Sequence, residues 1–165
     1  MTSLVSSNFK DVPLGILVVA LTGLLIIYGF TFLMLFGKPI LAINAYLQLI
    51  YFSVLILSFL GAINWGLAIS AESRGIRISP WWYIAAAGPT ALGWIALVLI
   101  SPTIKIVVLS LGFFSSFMLD VTASSRGYAP VWYKNLRKLM TTAVLIAMTL
   151  ALLAVRLTIT SSLLG

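Results

Sequence analysis

Residues 58–66 read Ser58-Phe59-Leu60-Gly61-Ala62-Ile63-Asn64-Trp65-Gly66 and lie inside an apolar run from Asn44 to Ser70. That run exceeds the about 20 residues a helix needs to cross about 30 Å of hydrocarbon. Lipid favours leucine, so glycine, asparagine and tryptophan at these positions point to a helix interface or a site. At about 100° per residue, Ser58, Ala62 and Gly66 share one broad face with Asn44, Gln48 and Tyr51. Ser53 and Asn64 fall roughly opposite. Ser58, Ala62, Gly66 and Ser70 therefore form a small-residue ridge, expected to let another helix approach closely. Asn64 on the other side implies protein on both sides and a central place in the bundle. Asn64 is read either as packing or as a ligand or ion contact. Gly61 and Trp65 complete this group of candidates.

Outward from this stretch, the hydropathy pattern repeats. The chain has 165 residues, 62% of them hydrophobic and 8% charged. A soluble domain has roughly 45–50% apolar residues. The spacing of apolar runs predicts five helices at about 13–36, 44–70, 80–100, 103–120 and 135–158. The expected fold is all-α: a polytopic integral membrane protein with five transmembrane helices in an antiparallel bundle. Short connections favour antiparallel neighbours. We expect one domain with no linker and no internal repeat. Pro89 is expected to kink the third helix.

Charge sets the expected orientation. With five crossings, Lys10, Arg74, Arg77, Arg126, Lys134, Arg137 and Lys138 fall on the N-terminal side, and Lys38, Lys105 and Arg156 on the other. The positive-inside rule then places the N-terminus inside and the C-terminus outside. Trp81, Trp82, Trp132 and Tyr133 are expected as interfacial anchors at the inner boundary. The net charge of +7 is spread over loops, so a bilayer partner is expected and nucleic acid is not. Residues Met1 to Lys10 lack the features of a removable signal peptide, so the first helix is expected to stay as an anchor.

Chemistry has few candidates. Cysteine and histidine are absent from the sequence, which removes thiol catalysis and the commonest metal ligands. Only Asp11, Glu72 and Asp120 are acidic. Asp120 follows a short apolar stretch and needs a cationic partner, for which Arg126, Arg137 and Arg74 are the candidates. A proton-handling carboxylate, or a solvated helix end, is the alternative. No cofactor and no catalytic residue is expected. The stretch Pro130 to Lys138 mixes aromatic and basic residues. It reads as a membrane anchor, or as a docking surface for a partner or an anionic lipid head.

Taken in order, Ser58-Phe59-Leu60-Gly61, Trp65-Gly66 and Pro130-x-Trp132-Tyr133-x-x-Leu136-Arg137 make the chain resemble the transmembrane-protein-69-like family, from about Pro13 to Leu153. These are bacterial and mitochondrial inner-membrane proteins built around a domain of unknown function. The resemblance implies an inner-membrane address and the five-helix layout, and brings no established activity. The resulting expectation is a non-enzymatic accessory or assembly subunit of a larger energy-transducing inner-membrane complex, with other subunits or further copies as partners. The alternatives are a transporter or channel component, and a lipid- or quinone-binding membrane protein.

Overall fold

The computed structural model describes residues 11–164, so Lys10 lies outside the described residues. Five helices follow one another: α1 (Leu14–Phe36), α2 (Pro39–Ser73), α3 (Pro80–Val98), α4 (Pro102–Ser125) and α5 (Val131–Leu164). Among the described residues there is no strand. All five helices are long and apolar enough to cross a membrane. Large apolar side chains such as Leu25, Phe32, Leu55 and Ile84 point outward, as lipid-facing positions do. The chain is a multi-pass membrane helix bundle.

Local chemistry sets the helix ends. Prolines open α2, α3 and α4, where their missing N–H would have no helical partner anyway. Hence α2 starts at Pro39, earlier than hydropathy predicts. By contrast, α3 stops at Val98, short of Ile100, and α5 starts at Val131. α4 continues to Ser125, past Asp120. Pro89 lies inside α3 and is buried.

The ends of α2 and α4 are built alike. The Ile76 N–H reaches back to the Ala71 carbonyl (3.1 Å) and the Gly75 N–H to that of Glu72 (2.8 Å). The Tyr128 N–H likewise reaches Ala123 (2.8 Å), and the Gly127 N–H reaches Ser124 (3.3 Å). Both are Schellman caps, and both need a residue in the left-handed region: Gly75 at φ 82° and Gly127 at φ 75°. The sequence repeats with the geometry. Ala71-Glu72-Ser73-Arg74-Gly75 precedes Pro80-Trp81-Trp82-Tyr83, and Ala123-Ser124-Ser125-Arg126-Gly127 precedes Pro130-Val131-Trp132-Tyr133. The α2–α3 and α4–α5 hairpins thus share a turn, an internal repeat that hydropathy does not show.

α2 packs against α1, α3 and α4, and α4 packs against α2, α3 and α5, while α1 also touches α5. Ile27, Leu49, Leu57, Leu109, Phe113 and Met148 form the main apolar core. α2 and α3 come close at Gly61, where an added Cβ would stand 2.8 Å from the Ala86 carbonyl oxygen and 2.9 Å from Thr90 Oγ1. Gly112 similarly admits Leu57. The Ser58–Ala62–Gly66–Ser70 ridge does not do this work. Ala62, Gly66 and Ser70 are exposed, Ser58 is half-buried, and nothing lies within 4 Å of a Cβ added at Gly66. Helical phase groups these residues correctly, but the neighbouring helix α3 meets the face that carries Gly61.

Gly61→Ala is expected to destabilise the protein by about 1–3 kcal/mol, because a backbone carbonyl and a β-branched side chain must shift. Gly66→Ala, with open space around the added Cβ, is expected to leave stability unchanged or raise it by up to about 1 kcal/mol. Thermal or denaturant unfolding in mild detergent compares the two directly.

Candidate functional site

Asp120 lies five residues before the end of α4 at Ser125, about 8 Å into the helix at 1.5 Å per residue. Its side chain is completely buried. A carboxylate removed from water needs donors, and two neighbouring helices supply them. Asp120 Oδ1 accepts from Asn64 Nδ2 of α2 at 3.0 Å and from the Tyr133 hydroxyl of α5 at 2.9 Å. Asp120 Oδ2 accepts from Arg137 Nε of α5 in a close ion pair. Arg137 is itself 8% exposed and donates through Nη2 to Ser116 Oγ on α4, at 3.2 Å. Ser116 and Asp120 are one turn apart on α4, as are Tyr133 and Arg137 on α5, so each pair stacks on one helix face.

Asn64 is fixed from two directions. Its Nδ2 also donates to the Leu60 carbonyl (3.3 Å), and its own backbone carbonyl accepts from Trp82 Nε1 of α3 (3.4 Å). Both donor bonds come from the amide nitrogen, which fixes the orientation of the amide. Among the described residues Asn64 Oδ1 is buried without a partner, and so is the hydroxyl of Thr141, one turn beyond Arg137. Each Asp120 carboxylate oxygen thus has at least one donor, while the Asn64 oxygen beside it has none among the described residues. Chemically the cluster holds an ionised carboxylate in place. No group of three or more candidate metal ligands occurs among the described residues.

The sequence-derived candidates separate in space. Of the three proposed partners of Asp120, the structure brings only Arg137 to it. Arg74 instead donates to Ser70 Oγ and to the Gly127 and Tyr128 carbonyls. Arg126 lies over the Trp82 ring, with its Cζ 5.9 Å from the centroid. The four expected anchors divide as well. Trp81 is exposed (74%) and Trp132 half-buried, but Trp82 and Tyr133 are buried. Trp82 packs edge-on against Tyr128, and Tyr133 serves the carboxylate. Trp65 is exposed and ties α2 to α3 through Nε1 to the Tyr83 carbonyl (3.0 Å). Sequence reasoning misses Tyr133 and Ser116 as members of the cluster. Their four-residue spacing from Arg137 and Asp120 is the signal that could have found them.

Two substitutions separate the roles in the cluster. Tyr133→Phe removes one hydrogen bond to a charged group and is expected to cost about 1.5–3 kcal/mol of stability. Asn64→Leu, close in shape, loses a similar bond but also removes the buried unpartnered oxygen, so its net cost is expected to stay within about 1 kcal/mol. Unfolding in mild detergent, read by tryptophan fluorescence, checks the order.

The residues just described all fall within one family match. Neither a curated protein nor a solved structure matches the chain. A family model does, over residues 12–153, and the chain belongs to the family described as protein of unknown function (DUF3429).

Proposed function

We propose that the chain is a non-enzymatic subunit of a larger membrane assembly, an accessory or assembly component of an energy-transducing complex in a bacterial or mitochondrial inner membrane. In this reading the five crossings run antiparallel, with the N-terminus inside. The resemblance to the transmembrane-protein-69-like family favours that address, and the positive-inside count favours that orientation.

The observation that carries the proposal is the closure of the Asp120 cluster. Both carboxylate oxygens hold donors from the protein itself. A substrate or a transferred proton would need one of them free or reachable. Open apolar grooves lie elsewhere, on α5 around Leu145 and Ile146 and between α4 and α5 beside Phe114. An ion pair enclosed in this way fixes helices and leaves the outer faces to do the recognising. The exposed Ala62 and Gly66 face of α2 supports this, because small residues allow another membrane helix to come close.

A second reading, a transporter or channel component, is favoured by one feature, the repeated turn. Many carriers are built from repeats, with the site at the repeat interface. Here the Asn64–Asp120 contact joins the first helix of one repeated hairpin to the first helix of the other.

Purification in mild detergent is expected to bring down other chains in fixed stoichiometry, detected by native mass spectrometry. A stable lone monomer would count against the subunit reading. Ion or solute flux through vesicles holding that monomer alone would support the second.

A further inference from the structure

The two repeated turns exchange their arginines. Arg74 and Arg126 occupy the same position in each motif, immediately after the last residue of α2 and of α4. Arg74 of the first turn reaches the second: its Nη2 donates to the Gly127 carbonyl (3.4 Å) and the Tyr128 carbonyl (3.3 Å), while Nη1 holds Ser70 Oγ (2.8 Å). Arg126 of the second turn reaches back, lying over Trp82 near the start of the helix that follows the first. Trp82 and Tyr128 meet edge to face, with ring centroids 5.2 Å apart. The residues of this aromatic pair therefore hold one guanidinium from each motif, Arg126 over the Trp82 ring and Arg74 at the Tyr128 backbone carbonyl.

Both arginines are exposed, and among the described residues neither contacts a carboxylate. Arg77 is exposed in the same connection. Glu72, on the last turn of α2, is the nearest acid along the chain, and it leaves the local balance positive. The helix C-termini contribute partial negative charge, and the Arg74 bonds to loop carbonyls answer part of it. A guanidinium carries five donors, and among the described residues the Arg126 side chain makes no hydrogen bond, only its contact with Trp82, so its fork is open. A rigid fork of N–H groups matches phosphate oxygens two at a time, which an ammonium does not. The location narrows the source of the phosphate. These turns end the apolar spans, beside the outward-facing Trp81, at the level where tryptophan and lipid head groups meet.

From this reciprocal arrangement we infer that Arg74 and Arg126, on the Trp82–Tyr128 platform, form a binding site for the phosphate of an acidic phospholipid. Lys134 and Lys138 are equally basic and exposed but belong to no such platform, so they serve as the control.

The test uses the full chain in nanodiscs of phosphatidylcholine, with and without a minority of phosphatidylglycerol. The reading is each variant's own shift in melting temperature on adding the acidic lipid, so a lower baseline does not confound it. The native chain is expected to rise. Arg126→Gln, which leaves the Arg74 clamp intact, and the double variant Arg74→Gln/Arg126→Gln are expected to lose most of that rise, as for about tenfold weaker binding. Lys134→Gln/Lys138→Gln is expected to keep it. No rise in the native chain, or an equal loss in both double variants, would overturn the site. The same rise on adding inorganic phosphate to lipid that is wholly phosphatidylcholine would overturn a lipid as its occupant.

Discussion

An ionised carboxylate cannot stay in a bilayer without donors, and Asp120 meets that constraint by drawing three helices together. Leaving one buried charge without its partner costs about 3–5 kcal/mol, so the pairing constrains where α2 and α5 stand against α4. Asn64 approaches from one helix, and Tyr133 and Arg137 from another. Trp82 then bonds to the backbone of Asn64, which brings α3 into the same arrangement. Among the described residues α1 gives no hydrogen bond to the cluster. It joins through the apolar core and through the Tyr28 hydroxyl, which donates to the Ala143 carbonyl of α5 at 3.0 Å.

Around this polar centre the remaining cohesion is steric. Lipid tails are as apolar as the helices, so burying leucine against leucine gains little, and close approach must do the work. Gly61 and Gly112 supply it by letting backbone or a leucine side chain sit where a Cβ would be. The polar cluster and these glycine contacts select the same α2–α3–α4 packing, which gives the bundle one consistent arrangement.

Five spans are legible in the sequence because an apolar run of about 20 residues, in a chain this hydrophobic, fits little besides a membrane-crossing helix. Their ends are less so, since Pro39 and the Schellman caps act locally and hydropathy averages over them. The α2 ridge shows a different limit. Periodicity tells which residues share a face, but Ala62 and Gly66 look outward and Gly61 looks in, and only the position of α3 decides that. For Asp120, charge alone offers three arginines. Helix spacing would favour Arg137, because Tyr133 and Ser116 stand one turn from the two members of the pair. The repeated Ala-x-Ser-Arg-Gly and Pro-x-Trp-Tyr pieces are plain in the sequence once seen. The first connection is longer than the second, by residues such as Arg77 and Ile78, and this breaks the register that a simple comparison relies on.

The most direct measurement is a double-mutant cycle on the ion pair, with unfolding followed for Asp120→Leu, Arg137→Met and the two together. A coupling of about 2–3 kcal/mol is expected, with the double variant more stable than either single one, because each single change strands a buried charge. A coupling near zero would contradict it, showing that Asp120 and Arg137 do not depend on each other and that the cluster is not what holds the bundle.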